Sequence, residues 1–214
     1  MPRLRQTPVT AGLIAVNVAV YIATSASYSL VLQGANVPYL VQQGQWYRLF
    51  TSMFIHFSIF HIGLNMISLL IVGRLIEPAL GPWRYLALYL VAGLGGAVGS
   101  YLAATPNELS AGASGAIFGL FGAYFVLARR ARANTSGIVT LIGVNLAYSF
   151  LVPGIDWHDH IGGLVIGAVV AAGYGLGRGR GRREELVVDV LTIVVVCVAL
   201  GLLLLLPPAV INIG

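Results

Sequence analysis

Apolar residues fall along this chain in seven long blocks, separated by short stretches rich in glycine, proline and arginine. The blocks cover about 9–30, 53–72, 83–104, 112–128, 135–152, 158–176 and 187–206. Crossing about 30 Å of hydrocarbon takes roughly 20 residues of helix, so each block reads as a membrane span, the fourth a short one. The predicted fold is all-α, a polytopic bundle of membrane helices. A longer connection, about 31–52, follows the first span and contains Gly34, Pro38, Gly44, Trp46, Tyr47 and Arg48. Pro207-Pro208 ends the last helix, since proline cannot continue one. The start, Met1 to Gln6 with Arg3 and Arg5, looks like the head of a signal peptide. The apolar run goes on to about Leu32, however, and Thr24-Ser25-Ala26-Ser27 is a poor cleavage site, so we read an uncleaved first span. No internal repeat is visible.

Composition supports the same picture. A soluble domain carries about 25% charged residues; this chain carries 9%, with a mean hydropathy of +0.89. It cannot cover a water-facing surface and is expected to be a multi-pass integral membrane protein in contact with lipid. Every one of the 12 basic residues is an arginine. They are spread between the blocks rather than gathered on one face, which excludes a nucleic-acid partner and makes them topology signals. With the N-terminus in the cytoplasm, the inside segments hold Arg3, Arg5, Arg74, Arg84, Arg129, Arg130, Arg132, Arg178, Arg180, Arg182 and Arg183. Only Arg48 falls outside, with Glu108, Asp156 and Asp159; a seventh span then leaves the C-terminus outside. Alanine-, glycine- and arginine-rich usage without lysine points to a high-G+C bacterium, hence to a bacterial cytoplasmic membrane. The single cysteine, Cys197, lies in an apolar block, so no disulfide forms within one chain. No metal-ligand spacing occurs, and no metal or cofactor is expected.

Polar residues inside spans are costly and so mark candidate chemistry. At 1.5 Å rise per residue, Ser114 lies about 22 Å above Arg129, His160 about 27 Å above Arg178, and His61 about 20 Å above Arg74. The second, fourth and sixth spans all run from outside to inside, so three independent blocks bring a polar residue to one outer level. Ser114 stands in Gly112-Ala113-Ser114-Gly115 at the first turn of its helix, where backbone N–H groups lack partners and the dipole favours negative charge. His61 and Asn65, four apart, share a helix face and offer two donors to an anionic oxygen. Gly115 and Gly119 on the fourth span, with Gly163 and Gly167 on the sixth, allow the close approach that a serine and an imidazole need.

His158 and His160 compete for the role of base, 200° apart around a helix. His160 shares the face of Gly163 and Gly167; His158 lies nearer the outer surface and reads as solvated. Asp159 points about 100° away from His160 and is rejected as its orienter. With no other acid at this depth, the catalytic unit is a Ser114–His160 dyad. Phe118, one turn below Ser114, is placed to pack under the imidazole. His56 begins the second span and ties the preceding loop to the helix end.

Gly112-Ala113-Ser114-Gly115, His160 with Gly163 and Gly167, and His61 with Asn65 together resemble the rhomboid intramembrane serine proteases. Trp46-Tyr47-Arg48-Leu49-Phe50-Thr51 is similar to that family's aromatic–arginine loop, and Gly73, Glu77 and Gly81 to its turn after the second span. The likeness covers about residues 34–177. It implies a nucleophile at Ser114, a base at His160, and an oxyanion site of His61, Asn65 and the Ser114 N–H. Arg48 and Glu77 would be structural, and substrates would be single-span membrane proteins. Phe118 departs from the tyrosine of well-known bacterial members: a ring can still stack there, without a phenolic hydrogen bond.

The expected organisation is a six-span rhomboid-like core over residues 1–177, a basic cytoplasmic linker over 178–186, and a seventh helix with its tail over 187–214. The expected activity is an intramembrane serine endopeptidase cutting near the outer side of the bilayer. The alternative from another class is a catalytically inactive membrane-protein binder or chaperone on the same scaffold, disfavoured because both serine and histidine are present. A channel or transporter is disfavoured by the lack of intramembrane acids for ion or proton handling, and a zinc protease by the lack of His-Glu-x-x-His. The fifth span, ending at the hinge-like Pro153-Gly154, is the candidate gate for lateral substrate entry.

Overall fold

The computed structural model describes residues 7–208, so Arg3 and Arg5, which carried part of the topology reading, lie outside the described residues. Ten α-helices form within that range: α1 (Pro8–Ser25), α2 (Tyr28–Gly34), α3 (Pro38–Gln42), α4 (Arg48–Thr51), α5 (Ile59–Leu80), α6 (Pro82–Ala103), α7 (Ser114–Arg130), α8 (Ser136–Leu151), α9 (Trp157–Tyr174) and α10 (Arg182–Leu203). Each of the seven apolar blocks carries a long helix, and the fold is an all-α bundle of six such helices with a seventh added at the C-terminal end. Four of them, α1, α5, α6 and α10, are long and apolar enough to cross a membrane alone. The short α7 is instead enclosed by other helices, buried continuously from Gly115 to Ala123.

Several helix ends differ from expectation, each for a local reason. α1 stops at Ser25 rather than near residue 30. There Thr24 and Ser25 hydroxyls donate to the carbonyls of Val20 and Ile22, competing with the helix ladder. α5 starts at Ile59, six residues later than expected, where the Ser58 hydroxyl caps the His61 N–H at 3.1 Å. It then continues past Gly73 and Glu77, which lie inside the helix and not in a turn; only Gly81, at φ +81°, ends it. α10 begins at Arg182, so the tract at 178–186 is half helix. Glu184 and Glu185 sit in its first turn, where the dipole favours acids.

The core is a triangle of α6, α7 and α9, each packed on the other two along faces rich in glycine and alanine. A Cβ on Gly163 or Gly167 would collide with the carbonyls of Gly115 and Gly119, so α7 and α9 meet backbone to backbone. On the neighbouring face of α9, a Cβ on Gly162 would come within 2.5 Å of the Gly95 carbonyl of α6, and one on Gly99 within 2.9 Å of the His158 carbonyl. Small residues at four-residue spacing permit this approach, and the interface gains van der Waals and weak polar contact along the whole seam. Leu69, Ile76, Leu88, Leu120 and Val170 fill the space around it and are fully buried.

Two buried ions hold the periphery. The Glu77 carboxylate accepts from the Val9 N–H (2.9 Å), the Thr10 N–H (2.8 Å) and the Thr10 hydroxyl (2.7 Å). It thereby caps α1, whose own Thr7 makes no side-chain cap. The Arg48 guanidinium donates to the carbonyls of Leu32 and Ala35, both at 2.7 Å, and to Gln45 Oε1. It closes the long first loop on itself. At the other end Arg84 pairs with Asp189 at 2.6 Å and joins α10 to α6. The helices thus do contain acids, each engaged by a partner. Glu77 is taken up by the α1 N-terminus and Asp189 by Arg84, so neither is free to carry an ion.

Candidate active site

The segment before α7 is held by backbone pairing to the first loop. Asn36 and Ser110 exchange N–H···O=C bonds at 2.8 and 2.9 Å, and the Gly112 N–H donates to the Ser52 carbonyl at 2.9 Å. Gly112 then turns at φ +139°, a conformation that favours glycine, and α7 begins at Ser114. Ala113, at the N-cap, offers no side-chain oxygen, so the first N–H groups of α7 have no side-chain cap there. An added Cβ on Gly112 would lie 2.8 Å from His61 Nε2 and 3.3 Å from Ser114 Oγ, so histidine and hydroxyl converge on this glycine from two sides.

Three histidines belong to this region, and their bonds identify their protons. His61 Nδ1 accepts the Phe57 N–H over a long 3.5 Å, so the neutral ring carries its proton on Nε2, directed at Gly112 and Ser114. His56 is buried behind it, the ring centroids 4.9 Å apart. Its Nδ1–H donates to the Phe54 carbonyl at 3.3 Å and its Nε2 accepts the Ala113 N–H at 3.5 Å. His56 thus lies in the loop before α5 rather than beginning that helix, and it ties the loop to the start of α7. Burial, and secondarily the neighbouring His61, push its pKa down to about 4, in keeping with a ring that must stay neutral to accept that N–H. His160 enters from α9, stacked on Phe118 with ring centroids 4.2 Å apart and planes 12° apart.

Ser114, His61, Asn65, Phe118 and His160 all line one cavity of about 380 Å³ between α5, α7, α8 and α9. Asn65 departs from the expected geometry: its amide donates to the His61 carbonyl at 3.0 Å, along its own helix, leaving its second N–H for the cavity. His158 is half-buried and bonded to Asp156 at 3.3 Å, not solvated. Asp159 does turn away from His160, as its position on the helix requires. The same rotation lays its carboxylate against Gly96 and Gly115, where side chains are absent, and 3.5 Å from the Ser114 hydroxyl. Ser114 donates to it in this structure, and no Ser114–His160 hydrogen bond forms among the described residues. His160 bonds instead through Nδ1 to the Ser149 hydroxyl of α8 at 2.7 Å. Neither Asp159 nor Ser149 was anticipated in this setting. The available signal for Ser149 was its spacing of four from Asn145, two polar positions on one face of a mostly apolar helix.

A family model for the rhomboid domain matches residues 43–177. The chain belongs to the rhomboid family. It is 41% identical over 152 residues to rhomboid protease GluP of Bacillus subtilis, covering 69% of this chain and 30% of that relative. It is 29% identical over 202 residues to rhomboid protease AarA of Providencia stuartii, covering 77% of this chain and 72% of that one. RHOMBOID-like protein 5 of Arabidopsis thaliana is 36% identical over 60% of this chain and 44% of its own length. The chain thus spans less than a third of GluP, while it covers most of AarA. Within this rhomboid, the matched region holds every residue of the cavity named above.

Proposed function

We propose that this rhomboid is an intramembrane serine endopeptidase acting through Ser114 and His160. The observation that carries it is the pairing of a helix start bearing Ser114, to which the N-cap residue Ala113 lends no side chain, with an imidazole on a helix in backbone contact with it, both opening into one cavity. The reaction requires the Ser114 hydroxyl to turn about χ1 from Asp159 to His160, a change between staggered rotamers. His160 takes the hydroxyl proton as Oγ attacks the carbonyl carbon; the tetrahedral intermediate collapses to an acyl-enzyme as the same proton passes to the leaving amine. Water then attacks the ester with His160 again as base. The developing oxyanion is received by the Ser114 N–H and His61 Nε2–H, with Asn65 beside them.

The arginine distribution supports a cytoplasmic N-terminus and a site in the outer part of a bacterial cytoplasmic membrane. Substrates of the matching class are single-span membrane proteins, reaching the cavity past α8. The named relatives are proteases, which favours catalysis over a binding-only scaffold. The test is cleavage of a single-span reporter by purified protein in detergent. Ser114→Ala and His160→Ala should each abolish cleavage, and a fluorophosphonate should label only proteins that retain Ser114. Persistent cleavage by both variants overturns the assignment.

A further inference from the structure

The contact between His160 and Ser149 contains more information than its length. Ser149 Oγ lies 2.7 Å from His160 Nδ1 and also 2.7 Å from the backbone carbonyl of Asn145, one turn earlier on α8. A hydroxyl has one proton to donate and lone pairs to accept with. The Asn145 carbonyl can only accept, so the proton of Ser149 goes there. Were it given to His160 instead, two lone-pair oxygens would face each other at 2.7 Å. The remaining assignment satisfies both contacts: His160 Nδ1 carries the hydrogen and donates it to Ser149.

We infer that Ser149 is a positioning residue that selects the reactive tautomer of His160. A neutral imidazole protonated on Nδ1 has its lone pair on Nε2. With one ring face stacked on Phe118 and Nδ1 bonded to α8, Nε2 is the ring nitrogen left for Ser114. The proton-accepting form is therefore set before substrate arrives. In soluble triads an aspartate does this and also stabilises the imidazolium by its charge; here a neutral hydroxyl does the first task in a setting where a second charge would be costly. Ser149 is held by α8 itself, since its partner carbonyl is on the same helix. Of the 16 residues of α8, only Ile138 and Ser149 are buried. The orienting group thus rides on the helix that borders the substrate path.

This inference rests on the proposed dyad, and the experiment separates the two. Full-length protein, labelled with ¹⁵N-histidine, is examined in detergent at mildly alkaline pH, with the His160 signals assigned by their loss in His160→Gln. The ring should show a protonated Nδ1 and a bare Nε2. Ser149→Ala should shift that population toward the opposite tautomer. It should lower kcat about three- to tenfold, the range an ordinary neutral hydrogen bond supports, with KM unchanged. Ser149→Thr, which keeps the hydroxyl, should recover most of the rate, and thermal unfolding of all three proteins reports whether any loss is one of folding. An Nε2-protonated ring in the native protein, or a wild-type kcat in Ser149→Ala, overturns the role of Ser149. Cleavage surviving in Ser114→Ala overturns the dyad instead.

Discussion

Helices α7 and α8 follow one another in the chain, have 17 and 16 residues, and border the same cavity, yet they are held in opposite ways. α7 is enclosed on all sides over its first half, its glycines pressed against the backbone of α9. α8 turns most of its surface outward, with Val144 at 62% and Leu151 at 80% exposure. The proposed nucleophile, Ser114, is therefore carried by an element that cannot shift without disrupting the core. The border of the proposed entry path is formed by an element with little buried surface to uncover. A site that must be rigid at the reacting atoms and open at its side can be built only if those demands fall on different helices.

The contrast is broken most severely at the seam. Gly163→Val places a branched side chain where the Gly115 carbonyl now lies, and no neighbouring side-chain rotation can make room. Folded protein should be lost, visible as the absence of a cooperative thermal transition in detergent; a native transition would mean that α7 and α9 are not locked by backbone contact. Truncations sharpen the comparison on a finer scale. Leu120→Ala, at a fully buried position of α7, should cost about 2–5 kcal/mol. Val144→Ala on α8 should stay within about 0.5 kcal/mol. Equal effects in the two would remove the distinction between the helices.

The smallest effect expected is a pH dependence at the start of α7. His56 titrates near 6.5 in an unfolded chain and near 4 in the folded one. The folded state thus binds fewer protons across that window. Its contribution to stability is fully present above about pH 6.5 and is lost as pH falls toward 4. The unfolding temperature should decline over this interval, and His56→Gln, which keeps a donor and an acceptor without titrating, should flatten that part of the curve. An unchanged slope in the variant assigns the decline to other groups.

Much of this arrangement was legible in the order of residues. Depth reckoned from the arginines, with glycines four apart on two helices, brought Ser114, His61 and His160 to one level, because helix rise is constant and small residues fix close approach. Phe118 followed from the same one-turn spacing. Helix ends were less legible, since the stop of α1 and the start of α5 depend on hydroxyls that compete with the helix ladder or cap it. Asp159 shows a different limit. Its angle from His160 could be computed, but what waits at that angle depends on where Gly96 and Gly115 are packed, which no single helix encodes. Ser149 was overlooked because a search for an acid beside the base leaves out a hydroxyl that performs the orienting task without charge.

The glycine seam has one more consequence. Because no side chain separates α7 from α9 where Gly163 meets Gly115 and Gly167 meets Gly119, the spacing between the helices that carry Ser114 and His160 is set there by the hard-core radii of peptide atoms, an incompressible gauge. Thickening or thinning the surrounding lipid can tilt the pair as a unit, but it has little purchase on their separation. Bilayer composition should therefore govern which substrates arrive and how often, and leave the intrinsic rate of the bond-breaking step nearly constant.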